Sequence, residues 1–391
     1  MIKIKKYNFL FFSFLFIHIF RLGALAVIPA AIFYLLSGVN QIFKFKASFY
    51  IFIYVLYCAL VFISSVSLSS VSTASLIDLK PIFMLSVFPC FVLFDRLFSP
   101  KIDEIAKVII YTVLVIMTAS FVFQFNYMNI IIRGDIGLIS MVALILLLPM
   151  SFKDLKKYIP LFIMLFLCFI LIQGRASMLA GGIAIGFLLI QSIKAGLIER
   201  RILKYYFLLG AIFIGLISLV FFSRASDISS NYGVTVIESE ARLLAFIVFY
   251  DVVNTFTTSE WLFGRGFGID FSENINCSRI LPYVCFHMEN IIMGNNGIYP
   301  AIGFHNELIR ILVTSGLFGL MLIFLFLSSL WRKKINSISE ANQVYAIRLN
   351  SLIVLFIIST FSHGILGSTI TSFVILSAMA TTYSKALRKD V

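Results

Sequence analysis

Charge is what this chain has least of: 13% of its 391 residues are Asp, Glu, Lys or Arg, against about 25% in an ordinary soluble domain. Beside 61% hydrophobic and 16% aromatic residues, that scarcity excludes a soluble globular enzyme. It excludes disorder too, which needs low hydrophobicity and high net charge. Five cysteines in this length are too few for a disulfide-built miniprotein. There is no P-loop, no HExxH helix, no paired CxxC site and no repeat or low-complexity tract. Gly264-Arg265-Gly266-Phe267-Gly268 has glycines at short spacing but not the strand-to-helix setting of a dinucleotide fingerprint. Neither a cofactor nor a metal is expected. The formal net charge of +13 would suggest nucleic acid in a soluble protein, but here the basic residues fall between apolar runs and report topology instead.

What is there is membrane sequence. A span takes about 20 residues, so the length accommodates about twelve helices with short connections and one large loop. Lys3, Lys5 and Lys6 before an apolar run, with Ala24-Leu25-Ala26 beyond, have the outline of a secretory signal. Apolar sequence resumes at once through Leu36, however, so residues 8–20 and 22–37 are read as two spans with Arg21 at the turn. Further spans fall at 47–66, 81–95, 105–124, 135–151, 158–173, 176–192, 205–222, 304–330, 349–362 and 364–383. With the N-terminus inside, 22 of the 31 basic residues are cytoplasmic and nine are outside; dropping one early span would reverse every later loop. The expectation is an all-α polytopic protein of about twelve transmembrane helices, with both termini cytoplasmic. Residues 1–222 carry helices one to nine, 223–303 form one large periplasmic loop, and 304–391 carry the last three helices.

Eight of the nine outside basic residues are arginine. Arg21, Arg133 and Arg279 read as headgroup neighbours. Arg175, Arg242 and Arg265 fit anion capture better, because a guanidinium fork grips phosphate oxygens bidentately and keeps its charge in a partly dry site. In the large loop, Glu238 to Phe256 reads as an amphipathic helix, with Ala241, Leu244, Ala245 and Val248 on one face, either lying along the outer surface or packed as a structural element. Cys277 and Cys285, eight positions apart in an oxidising compartment, are candidates for a disulfide. Cys58, Cys90 and Cys168 read as small apolar core residues inside spans.

At the end of that loop, His305-Asn306-Glu307 leads into the tenth span. The histidine can exchange a proton near neutral pH, acting as a base or a phosphate partner, or it can simply be a polar cap. Glu307 and Arg310, at i, i+3, are expected to pair as a small stabiliser of about 0.2–0.5 kcal/mol, and Gly316 and Gly319 to permit close helix packing.

Together these residues resemble the bacterial O-antigen polymerase and O-antigen ligase superfamily of membrane glycosyltransferases. The resemblance rests on three stretches: His305-Asn306 followed nine residues later by Gly316-x-x-Gly319; Arg242 with its apolar helix and Trp261-Leu262-Phe263-Gly264-Arg265-Gly266-Phe267-Gly268; and Gly174-Arg175-Ala176-Ser177 at an outer hairpin tip. Arg265 stands where many relatives carry a small residue. The resemblance implies a GT-C-like helical fold and an undecaprenyl-diphosphate-linked oligosaccharide as donor, without metal or nucleotide sugar. It implies His305 as the base that deprotonates the acceptor hydroxyl, with Arg175, Arg242 and Arg265 on the diphosphate; Glu238, Glu240 and Asp270 are candidate contacts for acceptor sugar hydroxyls. A chain-length regulator protein is a candidate partner beside the lipid bilayer. Polymerase is preferred over ligase on the general look of the sequence. A polytopic transporter or flippase, which should carry charge at span centres, is the alternative from another class.

Overall fold

A computed structural model describes residues 45–65, 84–98, 101–122, 126–148, 175–198, 252–267, 306–332, 340–362 and 369–387, with isolated positions at 79, 82, 204, 215, 249 and 250. Spans 8–20, 22–37 and 158–173, nearly all of 205–222 and most of the large loop lie outside the described residues. So do Arg242, Glu238, Glu240, Asp270, Cys168, Cys277, Cys285 and His305.

Among the described residues the secondary structure is helical: α1 (Lys46–Ser65), α2 (Val87–Phe98), α3 (Ile102–Val122), α4 (Asn126–Leu147), α5 (Arg175–Lys194), α6 (Thr258–Phe263), α7 (Glu307–Leu330), α8 (Glu340–Ser362) and α9 (Thr369–Ala386). Three are long and apolar enough to cross a membrane: Lys46–Ser64, Glu307–Leu330 and Asn342–Phe361. That much of the membrane reading stands. Helix ends follow local chemistry. α4 stops before Pro149, since the residue preceding a proline, here Leu148, is pushed out of helical conformation. Asp103 and Glu104 sit in the first turn of α3, where the exposed N–H groups favour negative charge.

Two spans begin nine residues earlier than their apolar windows. α4 starts at Asn126 rather than 135 and runs through Arg133-Gly134-Asp135; α8 starts at Glu340 rather than 349 and includes Arg348. A polar residue ends an apolar window without ending the backbone ladder, provided its side chain finds partners. Arg348 does. It is buried, and its Nε and Nη2 donate to the carbonyls of Leu148 (2.8 Å) and Leu147 (3.3 Å). It thus caps the C-terminal end of α4, where a cation is favoured.

The core centres on α9, whose residues from Thr371 to Ala386 are all buried, packed against α2, α4 and α8. Its hydroxyl residues Ser377, Thr381 and Thr382 donate to carbonyls three or four positions back in the helix, which lets polar side chains lie inside. α5 packs on α8 and α4, and α1 packs on α7. Helix ends expected on the cytoplasmic side meet at one end of this bundle: Lys385 pairs with buried Asp95 (3.5 Å), Arg332 stacks on Tyr383, and Phe187 lies against Trp331. At the opposite end, Asn306 at the start of α7 meets Phe361 at the end of α8.

Candidate functional site

The site is built on a break in α7. Its first part, Glu307 to Ser315, is separated from the rest by Gly316 at φ 65°, ψ −170°, a conformation open essentially to glycine alone. Just before the break, Thr314 and Ser315 donate their hydroxyls to the carbonyls of Arg310 and Ile311, both at 2.8 Å, a pattern that bends helices. Losing the ladder at Gly316 frees the carbonyls of Val313, Thr314 and Ser315, and unpaired carbonyls are expensive where no water reaches. All three are met. Arg265 N–H donates to Val313 (2.8 Å), Gly266 N–H to Thr314 (3.2 Å), and the Tyr57 hydroxyl of α1 lies 2.8 Å from the Ser315 carbonyl and 3.1 Å from that of Phe263.

The donors come from α6 and the turn after it, and the sequence dictates that local form. Thr257 caps α6 by accepting from Glu260 N–H, while Glu260 Oε2 accepts from Thr257 N–H at 2.7 Å, a reciprocal capping box. Gly264, at φ 82°, closes the helix, its N–H donating to the Glu260 carbonyl. The approach of turn to break is possible only between glycines. A Cβ on Gly264 would stand 2.5 Å from the Thr314 carbonyl, and one on Gly316 would strike the backbone of Leu262 and Gly264. Gly319 serves a different contact, since a Cβ there would crowd the Ser315 side chain and lie 3.5 Å from the ring of Tyr54. Of the two expected packing glycines, Gly316 is therefore a break and Gly319 a packing position. Phe267 then buries itself beside Phe62 of α1 and anchors the turn.

Arg265 is engaged inside its own segment: Nε donates to Glu260 Oε1 at 3.0 Å, Nη2 to the Thr255 hydroxyl at 2.5 Å and carbonyl at 3.1 Å, and the guanidinium lies over the Phe256 ring. The Thr257 N–H, aided by the Thr257 hydroxyl and the Arg265 charge, holds the Glu260 carboxyl below the ordinary glutamate value. The expected helix up to Phe256 is described only near its end, where Phe249, Tyr250, Val252 and Val253 are helical before the turn at Asn254.

Before the break, Asn306 caps α7 and Glu307 pairs with Arg310. The expected i, i+3 pair forms, but in the interior: the side chains are 0% and 5% exposed, and Glu307 Oε2 has no hydrogen-bond partner among the described residues. Arg175 is the first residue of α5, on the side of the bundle made by α8 and α4, whereas α6 lies on α7. Cys58 and Cys90 are buried and outside any disulfide, as their reading as core residues expects. Among the described residues no group of three or more His, Cys, Asp or Glu side chains gathers for a metal.

Sequence reasoning passed over three contributors, two of them at the site and the third, Arg348, in the fold that carries it. The capping box Thr257-x-x-Glu260 was legible as a motif. Tyr57 and Arg348 had no local signal, because what they bond lies more than 190 residues away. No protein-family model matches the chain, and no curated protein is similar to it at a significant level.

Proposed function

We propose that this protein is an O-antigen polymerase of a bacterial inner membrane, joining undecaprenyl-diphosphate-linked oligosaccharide repeats at the periplasmic face. The observation that carries the proposal is the junction at Gly316. Two of the three stretches on which the family resemblance rests, Leu262 to Phe267 and Asn306 to Gly319, are some 40 residues apart in the chain and meet backbone to backbone. A shared motif whose parts meet is better support for a common site than the same parts scattered.

In this reading the chain crosses the membrane about twelve times, with both termini in the cytoplasm and the large loop outside. Arg175 and Arg242 hold the donor diphosphate and stabilise the charge that grows on it as the glycosidic bond breaks, so no metal is required. Arg265, with Nε and Nη2 committed to Glu260 and Thr255, shapes the turn first and reaches the diphosphate second. His305 removes the proton from the acceptor hydroxyl, and an inverting displacement needs only that base and an activated leaving group. Glu238, Glu240 and Asp270 bind acceptor hydroxyls.

Deleting the gene and resolving the lipopolysaccharide on a gel tests the reading. A band carrying a single repeat is the expected result. Bare core with accumulated lipid-linked polymer would make the protein a ligase, and loss of lipid-linked repeats from the outer face would make it a flippase. In purified form, His305→Ala is expected to lower turnover by at least about 100-fold with donor binding largely kept. Polymerisation at the wild-type rate would remove the histidine from the chemistry.

A further inference from the structure

Asn306 is buried, 4% exposed, where the chain enters α7 at φ −128°, ψ 115°. Its side chain does two separable things. The carboxamide oxygen accepts the N–H groups of Leu308 (3.0 Å) and Ile309 (3.1 Å), which is what an N-cap does. The amide nitrogen, which capping does not use, donates to the carbonyl of Phe361 at 3.3 Å. Phe361 lies in the last described turn of α8. The assignment of oxygen and nitrogen is forced, because one atom faces two donors and the other faces an acceptor.

Aspartate and serine cap helices about as well as asparagine. Neither can replace the second bond: an ionised carboxylate only accepts, and a serine hydroxyl is too short to cap α7 and reach α8 together. An amide at this position therefore answers to the tie between two helices as well as to the cap. The neighbouring chain makes that tie consequential, for the preceding residue in sequence is His305.

We infer that Asn306 is a positioning residue for the proposed transfer: by pinning the start of α7 to Phe361 of α8, it fixes the residue that directly follows His305, the proposed base, in the chain. It touches neither donor nor acceptor. The inference rests on the polymerase reading for its chemistry and on the three hydrogen bonds for its geometry. An error of about 1 Å in presenting a catalytic group can lower the rate about 100-fold, while the arginines that grip the diphosphate are untouched.

The test compares purified full-length wild type, Asn306→Asp, Asn306→Ser and Asn306→Ala with a lipid-linked repeat unit, measuring kcat and KM per folded protein, with folding scored by size-exclusion profile. For the aspartate and serine variants, wild-type folding is expected with kcat reduced about 10–100-fold and KM changed less than about twofold. The alanine variant, which also loses the cap, is expected to lose folded yield as well. Where the added charge of Asn306→Asp prevents insertion, the neutral Asn306→Ser carries the comparison. Wild-type kcat in either capping variant reduces Asn306 to a cap and overturns the inference, as does a loss of folded protein with kcat per folded molecule unchanged. No polymer from the wild type itself sinks the polymerase reading, a different observation from a wild type that works and an Asn306→Asp variant that works equally well.

Discussion

The two parts of α7 share an apolar look but live in different surroundings. Before Gly316, the polar residues Asn306, Glu307, Arg310, Thr314 and Ser315 are all buried. Beyond it, Leu317, Phe318, Met321 and Phe324 are exposed, Phe324 to 70%. The first part is therefore enclosed by protein and meets most of its polar groups there, through the Asn306 cap, the Glu307–Arg310 pair, two hydroxyls bonded back along the helix and donors from the docked turn. The second part carries an apolar face suited to hydrocarbon, where an unmet polar group has no recourse. An irregular backbone is tolerated at the join because a neighbouring segment completes its hydrogen bonds. Intramembrane ionisable residues enclosed in this way, unlike those on a lipid-facing surface, mark candidate functional ground.

The largest expected effect sharpens this contrast at Glu307. An exposed i, i+3 pair would be worth about 0.2–0.5 kcal/mol, and its loss would scarcely register. In the interior, Glu307→Gln removes the carboxylate that pairs with the buried Arg310 charge, and breaking a buried pair from one side costs about 3–5 kcal/mol. Thermal unfolding in detergent should show a loss of that order, whereas Phe324→Leu in the second part should stay within about 1.5 kcal/mol. Equal stability of Glu307→Gln and wild type would erase the distinction between the two parts.

Next in size is the break itself. Gly316→Ala forces a side chain into a glycine-only conformation, about 1–3 kcal/mol, and drives its Cβ into the turn at Leu262 and Gly264, so a total of about 2–4 kcal/mol is expected. Gly196 is the control: its φ is also positive, at 72°, but a Cβ there meets nothing within 4 Å. Gly196→Ala should therefore show strain alone, and the difference in melting temperature between the variants reads the turn contact. No difference would mean that the turn does not depend on close approach.

How much of this was legible follows from the range of the interactions. Composition and apolar runs announced a helical membrane protein, and the windows at 47–66 and 176–192 match α1 and α5 closely, because lipid-compatible length is a local property. The start of α8 lies nine residues before its apolar window because Arg348 is satisfied by carbonyls of a distant helix. Gly316 was visible as a glycine but not as a break, since only the donors of Arg265, Gly266 and Tyr57 make a break affordable there. The Glu307–Arg310 pairing was legible from spacing, its burial was not. His305 and Arg242, the residues on which the chemistry would turn, lie outside the described residues, and their roles rest on the resemblance.

The smallest expected effect concerns the other ion pair, Glu260 with Arg265, which differs from Glu307–Arg310 in being partly open to solvent, with side chains 28% and 17% exposed. The Glu260 carboxyl titrates below the ordinary glutamate value in the folded protein. A depressed carboxyl stabilises the fold at and above its unfolded value and loses that contribution as the pH falls through the lower, folded one. The turn should thus loosen on acidification below the usual glutamate range of about 4.3, by a surface-pair amount of about 0.2–1 kcal/mol. Trp261, which stacks edgewise on Phe256 within this segment, reports it by fluorescence once Trp331, the only other tryptophan, is changed to Phe. Glu260→Gln keeps the capping geometry, since glutamine serves at the third helical position as glutamate does, but has no charge to titrate. Its fluorescence should stay flat across the acid range while the parent's changes. Parallel acid transitions in both would show that the turn is held by backbone and glycine contacts alone and that the Glu260 charge contributes nothing measurable to its docking.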